Sequence, residues 1–399
     1  MKLILNKFMK EMKRKEFIKY GSIFTVGALI AGTGSMTAGP KSESFADNND
    51  QSDRRPDPDS FESPVLKAIA LGINAPSPHN TQSWKFMVLN DLEMRLYVDE
   101  KILLPATDPP ARQIHIGAGC FLETMALGAS RYGYEMQVEY FPEGYETSAD
   151  FGVKPVAQIR LVASEKEADP LAQFIEHRQT SRMPYKGKMV ERSEFDSIKN
   201  ESGESYSTVR FIHENLDPYL NVFSKAMEIE SKTYASNEET RRMFRFSEDE
   251  RRAKRDGISI PQMGYKGMIE KLAEKSLKDG DHDTWHSEKN FKATMKGINK
   301  GIKSTRGIVF WQTNTNHFTD WLRTGRDYVR FSHSLTKNGY YAHPYNQAIQ
   351  EYPEMDNLRV ELDNILGIKP PQKIQMIVRI GQSAQPYYSY RRGLQQYMM

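Results

Sequence analysis

The stretch Ala75-Pro-Ser-Pro-His-Asn-Thr-Gln-Ser-Trp84 stands directly before the apolar run Lys85-Phe-Met-Val-Leu89. Its two prolines bracket a tight turn, because each fixes its own φ and restrains the residue before it. Ser77 and Asn80 sit on that turn, with side chains able to donate hydrogen bonds to the oxygens of a phosphate or a ring. Gln82 follows them, and Trp84 can bury at the strand start. A turn followed by a core tryptophan accounts for the same residues without any ligand, so the decision falls to the surroundings.

Working outward, the pattern alternates helices and strands from Ser60 onward. Residues 61–73 read as a helix stopping before Pro76, and 85–89 and 94–98 as strands around an Asn90-Asp91 turn. A long helix spans 112–132 and ends at Gly133, followed by strands at 135–141 and 155–162. The second part predicts a helix over 170–177, a strand over 208–213 and a helix over 218–235. A strongly charged helical stretch follows, from 238 to 303. Then come a strand over 307–312, a helix over 318–337, an extended segment over 340–347, a helix over 353–366 and a strand over 373–380. Gly119 and Gly325, Gly133 and Gly339, and Tyr134 and Tyr340 all share an offset of 206 residues. This suggests two copies of one α+β unit packed as an internal dimer. Two unrelated α+β layers sharing ordinary helix-capping chemistry is the plainer alternative.

The chain has 399 residues, of which 38% are hydrophobic, and its 19 Phe, 20 Tyr and 4 Trp can fill a core, which excludes a wholly disordered chain. The lone cysteine, Cys120, excludes an intramolecular disulfide framework and any zinc site built on two thiolates; it reads as a small buried apolar group. The formal charge of +3 is misleading, because residues 1–20 hold seven Lys or Arg against two Glu, and the remainder is mildly acidic. Arg241-Arg242, Arg251-Arg252 and Lys254-Arg255 are interleaved with Glu238, Glu239, Glu248, Asp249 and Glu250, as on a solvated helical face. No nucleic-acid partner is expected.

The basic start followed by the uncharged segment 21–39 has the pattern of an export signal, with Ser35-Met-Thr-Ala38 offering small residues for cleavage. Its apolar part is shorter than a stable membrane helix, so a cleaved signal is expected, with an uncleaved anchor as the alternative. Arg14-Lys15-Glu16-Phe17-Ile18-Lys19 resembles the twin-arginine export motif with Lys as its second cation; an ordinary secretory signal is the other route. Residues 40–59 read as a disordered linker.

The quoted stretch resembles the Pro-Ser-x-x-Asn-x-Gln-Pro-Trp signature of the nitroreductase family, with Ser83 at the family's proline. His177-Arg178-Gln-Thr180-Ser-Arg182 resembles that family's Arg-x-Ser-x-Arg phosphate clamp. Two guanidinium forks and a hydroxyl suit a phosphate dianion, although a solvated helix end would look alike. The clamp follows the Pro-Ser stretch here, an order that fits the fused, exported, Acg-like branch of the family, in which one chain imitates the dimer. The resemblance implies a nitroreductase-like α+β fold in two tandem copies. Residues 60–165 would form the first half and 166–399 the second, with a charged insert at about 237–305. It also implies flavin mononucleotide (FMN) in one complete site shared by both halves, and one degenerate site.

Continuing on that basis, Tyr341-Ala-His343-Pro344-Tyr-Asn346-Gln347 is similar to the family's segment near the flavin N5. Gln347 would offer its main-chain amide there and Pro344 would set the turn, with Asn346-Gln347 in place of the family's Glu-Gly pair. The tail Tyr388-Ser-Tyr-Arg391-Arg392-Gly393 resembles a closing strand that returns a cation to the phosphate, from either Arg391 or Arg392. The cofactor-binding set is therefore Ser77, Asn80, Gln82, Arg178, Thr180, Arg182, Pro344, Asn346, Gln347, Arg391 and Arg392.

No catalytic side chain is expected, since the flavin carries the chemistry. His282-Asp-Thr-Trp-His286 imitates the spacing of a zinc helix, but its acid is Asp and the flanking Lys278-Asp-Gly-Asp reads as a flexible loop, so no metal is expected. Gly117-Ala-Gly119 lacks the rest of a dinucleotide fingerprint and reads as close helix packing. The expectation is an exported, monomeric flavin oxidoreductase working by ping-pong exchange between a small-molecule donor such as NAD(P)H and an acceptor. The alternative is a flavin-sequestering protein whose charged insert lies as a lid over the cofactor, with Met263 and Tyr265 near its tip.

Overall fold

The computed structural model describes residues 52–399; the leader, and the linker as far as residue 51, lie outside them. Helix α1 (Pro64–Gly72) leads into the hairpin β1 (Trp84–Asn90) and β2 (Glu93–Val98), whose turn is closed by Leu92 N–H donating to Asn90 Oδ1 at 2.9 Å. Helix α2 (Arg112–Ser130) then crosses to β3 (Tyr134–Tyr140) and β4 (Ala157–Ala163). The four strands form one antiparallel sheet in the order β1-β2-β4-β3.

A second antiparallel sheet has the order β5 (Thr208–Ile212), β8 (Gly307–Thr313), β10 (Lys373–Gly381), β9 (Tyr341–Pro344). Helix α3 (Arg192–Glu201) precedes β5 (Thr208–Ile212). A long connection then carries α4 (Asp217–Lys232), α5 (Tyr234–Met243), β6 (Phe244–Arg245), α6 (Glu248–Lys254), β7 (Ile258–Ser259), α7 (Gly267–Ser276), α8 (His282–Trp285) and α9 (Glu288–Lys303). Next come β8 (Gly307–Thr313), α10 (Phe318–Lys337), β9 (Tyr341–Pro344), α11 (Asp356–Leu366) and β10 (Lys373–Gly381). Strand for strand the second sheet repeats the order of the first, with α2 and α10 in the same place.

Helix α10 runs over the residues its periodicity predicts. Asp320 on its first turn accepts from His317 N–H at 2.8 Å, satisfying one of the exposed donors of the helix start. Helix α2 is buried on nearly every side, as an internal helix with few charges should be. The two helices pack along their lengths, and a Cβ on Gly119 would lie 2.0 Å from Leu322 O. One core spans both sheets, with Trp84, Phe86, Phe121, Trp311, Tyr328 and Phe331 among its buried rings.

Several expectations change. The helix read over 170–177 is one short turn, Ala172–Phe174, after which the chain bends to deliver Arg178 inward. The segment over 340–347 is extended only as far as Pro344 and then turns at Asn346–Ile349. Helix α3 was not read from the sequence. Residues 52–59, expected as disordered linker, form two single turns held to the C-terminal tail: Arg54 Nη1 donates to Tyr388 O at 2.7 Å, and the Arg55 guanidinium lies 3.7 Å over the Tyr388 ring. Prolines and charges make that segment look solvated, but its two arginines find distant carbonyls and aromatic faces. No described helix is long and apolar enough to cross a membrane.

Candidate functional site

The loop between α1 and β1 is held in a strained shape. His79, Asn80 and Gln82 have φ values of 45°, 56° and 52°, a left-handed conformation that costs non-glycine residues about 1 kcal/mol each. Gln82 sustains it. Its Nε2 donates to Asn80 O at 3.1 Å and Arg255 O at 2.9 Å, and its Oε1 accepts from Arg392 N–H at 3.0 Å and from the Tyr397 hydroxyl. Ser77 Oγ accepts from Gln82 N–H at 3.0 Å. Gln82 and Ser77 thus shape the loop. Asn80 Nδ2 donates to Tyr390 O at 3.3 Å, while its Oδ1 is buried with no hydrogen-bond partner. The His79 Nδ1 is likewise buried without a partner, and burial, together with the nearby Arg182 charge, lowers its pKa to about 4, so the ring is neutral at neutral pH.

Behind the loop is a group of buried cations. Arg178 Nη2 donates to Asn74 O at 3.2 Å, but its Nε and Nη1 are buried with no partner. Burial lowers the pKa of Arg178 to about 10, and that of Arg391 falls well below the usual value through burial and the charges of Arg55 and Arg178. Arg391 donates to the carbonyls of Ile73 at 3.0 Å and Ala75 at 3.3 Å. Arg55 Nη1 donates to Asn74 Oδ1 at 2.6 Å. Among the described residues, no carboxylate forms an ion pair with Arg55, Arg178, Arg182, Arg391 or Arg392. The contrast with Arg326 and Arg330 is direct, because these are held by Glu123 and Asp169 at 2.6–2.8 Å. Buried guanidiniums without counter-ions are costly, and two donors on Arg178 and one on Arg392 have no acceptor. A dianionic group such as a phosphate supplies both the charge and the acceptors.

The predicted clamp is brought together in part. The Arg178 charge lowers the pKa of Arg391, and both Arg178 and Arg182 act on the buried Tyr328 hydroxyl. The charge of Arg182 acts on His79 and His343, and its Nη1 is directed at Gln262 Oε1 at 3.4 Å. The backbone of Thr180 pairs with Ala342 as a parallel bridge. Of the two tail arginines, Arg391 is the one on which the Arg178 charge acts, with each of its guanidinium nitrogens donating to a protein oxygen, whereas Arg392 donates Nη2 to the carbonyls of Thr81 and Gln82 and keeps a buried Nε without a partner. Arg55 was missed by sequence reasoning because its segment carries only turn and linker signals.

At the end of β9, Pro344 pairs with Val378, and Asn346 turns inward: its Nδ2 donates to Gln113 Oε1 at 2.5 Å and its Oδ1 accepts from Ile377 N–H at 2.8 Å. Gln347 keeps a buried Oε1 without a partner and lies beside Glu230 of α4, which also accepts from Gln350 Nε2 at 2.9 Å. Among the described residues no cation pairs with Glu230, and burial raises its pKa to about 7, a group that nothing in the local sequence announces.

The β5–β8 connection reaches this site. Gly257 N–H donates to Asn80 O at 3.3 Å, Arg255 Nε donates to Arg391 O at 2.7 Å, and Arg255 Nη2 donates to Asp53 O at 2.7 Å. At the tip, a Cβ on Gly264 (φ 91°) would lie 2.5 Å from Met183 Cγ, so the chain lies directly on the clamp segment.

No family model matches the chain. Over 123 residues, 30% of its length, it is 29% identical to a protein of Mycobacterium tuberculosis (strain H37Rv) provisionally named an NAD(P)H nitroreductase, of which the match covers 34%. Another protein of that strain, provisionally named NAD(P)H nitroreductase acg, is 27% identical over 172 residues, 41% of this chain and 48% of the relative. The chain spans between a third and a half of the length of these curated relatives. Among solved structures, the FMN-dependent nitroreductase NfnB of Mycobacterium smegmatis in complex with NADPH aligns with 57% of this chain and 96% of its own, at 12% identity and a TM-score of 0.33. A nitroreductase with bound FMN from Bacteroides fragilis aligns with 56% and 94%, at 12% identity and a TM-score of 0.29.

Proposed function

We propose that the protein is an exported FMN-dependent oxidoreductase of nitroreductase type. The observation that carries the reading is the group of buried arginines without counter-ions behind the strained Pro-Ser loop. The partial similarity to proteins provisionally named NAD(P)H nitroreductases supports it. Arg178, with Arg391 and Arg55, would hold the FMN phosphate; Asn80 and His79 would face the cofactor from the loop; and the main chain of Gln347 would approach the flavin ring. Bound FMN supplies the carrier of hydride or single electrons between a reduced donor such as NAD(P)H and an acceptor. The chain's own residues bind the phosphate, orient the ring and keep water from it, and Glu230 can hold a proton near neutral pH beside Gln347.

The matching strand orders of the two sheets and the glycine-to-glycine packing of α2 on α10 favour an internal duplication, one chain imitating the family's dimer as a monomer. In the second half, Asp327 accepts from the backbone N–H groups of Tyr206 and Ser207 at 3.1 and 2.7 Å, so the chain's own carboxylate occupies the donors there. This favours one working site. The leader, in this reading, directs export by a twin-arginine or ordinary secretory route.

A second reading, FMN sequestration without turnover, draws on the contacts of Arg255, Gly257 and Gln262 with the loop and the clamp, which cover the site. Anaerobic mixing of the flavin-loaded protein with NADH, NADPH or dithionite separates the two. Bleaching by a nicotinamide supports the oxidoreductase, whereas bleaching by dithionite alone supports sequestration or a different donor. Failure to bind FMN refutes both.

A further inference from the structure

The segment expected as a flexible loop around His282 is a helical turn, α8, which brings two imidazoles to a ring separation of 4.6 Å. Helix α5, more than forty residues earlier, places a carboxylate against them: His286 Nε2 lies 3.1 Å from Glu238 Oε2. One ligand atom from each of Glu238, His282 and His286 lies within 4.8 Å of the others. The His282 Nδ1 lies 3.0 Å from Asp283 Oδ1, which orients the ring with Nδ1–H toward the carboxylate, and its Nε2 lone pair accepts from the Tyr234 hydroxyl at 3.1 Å, a contact that a metal ion would displace. Metal-binding histidines are commonly oriented by a carboxylate in this way. Arg241 forks onto Glu238 at 2.7 and 2.8 Å and Arg242 reaches it at 3.1 Å; they fix the carboxylate plane and also temper its charge.

We propose that Glu238, His282 and His286 form a binding site for one divalent transition-metal ion, with Zn²⁺ as the best fit, that staples α8 to α5. Two imidazole nitrogens and one carboxylate oxygen, with a water as fourth ligand, suit tetrahedral zinc, and imidazole favours zinc, copper and nickel over magnesium and calcium. Binding exchanges the His286–Glu238 and Tyr234–His282 hydrogen bonds for metal bonds from Glu238, His282 and His286. Trp285 Nε1, donating to Asn237 Oδ1 at 2.8 Å, already joins the same two helices, so little reorganisation is needed. The site lies within the connection that reaches the Pro-Ser loop, but it does not depend on the flavin reading.

The test is calorimetric titration of the chelator-treated full-length protein with ZnCl₂, alongside thermal melts. One equivalent should bind and raise the melting temperature. His282→Asn and His286→Asn should each weaken binding at least about tenfold, and Asp283→Asn by about tenfold. His282 is half exposed, so its variant should keep the wild-type melting temperature without zinc and lose only the zinc-induced rise. Absence of zinc binding by the wild-type protein, or binding of equal strength by the His282→Asn/His286→Asn double variant, overturns the proposal.

Discussion

Gly119 and Gly325 meet where α2 crosses α10: a Cβ on Gly325 would stand 2.9 Å from the Cα of Gly119 and 2.0 Å from Ile116 O. Backbone, not side chain, blocks the added atom, so neighbours cannot rotate away. Alanine normally gains about 1 kcal/mol over glycine inside a helix. Here the overlap reverses the sign, and Gly119→Ala or Gly325→Ala should lower stability by about 2 kcal/mol or more, seen in chemical denaturation.

Arg178 holds a buried charge that the protein alone does not neutralise. Arg178→Met should therefore leave the melting temperature of the flavin-free protein unchanged or higher, because an unpaired buried charge is removed. The same change should weaken FMN binding by about ten- to a hundredfold, the loss of a charge-assisted hydrogen-bonded contact. Fluorescence titration and thermal melts together read out the opposite signs.

Glu230 gives a pH signature. Its pKa in the fold is raised from 4.5 to about 7, so the folded protein retains a proton that the unfolded chain releases. The stability it contributes is fully present below about pH 4.5, falls as pH rises through that window, and is lost above about pH 7. Glu230→Gln should abolish this fall. Relative to wild type the variant should gain roughly 3 kcal/mol at pH 8 and little at pH 4.

Arg255 ties the β5–β8 connection to the site through Arg391 O and Asp53 O, each at 2.7 Å. Arg255→Ala removes both contacts and should speed flavin release about tenfold, followed by the fluorescence of freed flavin. An unchanged release rate would mean that the connection does not retain the cofactor.

The β1–β2 hairpin and helices α2 and α10 were legible because their signals are local: an Asn-Asp turn, apolar periodicity and terminal glycines. The β5–β8 connection was seen as charge, and its path over Asn80 and Arg182 was not, since no local pattern says which surface a helical insertion covers. Arg55 is the sharper case. It donates to Ser389 O at 3.3 Å across 334 residues of sequence, and the Pro- and Asp-rich stretch around it carries only the marks of a linker. Gln82 was read as a cofactor ligand, whereas all of its polar atoms are used in holding the loop, a distinction between shaping and touching that spacing does not encode. For His282 and His286 the local spacing was visible, but Glu238, the third member, is adjacent only in the fold.

The central claim is that the unpaired arginines around Arg178 hold the phosphate of FMN. The most direct measurement is an absorption spectrum of the purified full-length protein with mass identification of anything released on denaturation. The account predicts a yellow protein with flavin absorbance, releasing FMN and bleaching with a reductant. A preparation that stays colourless after refolding with excess FMN would contradict it.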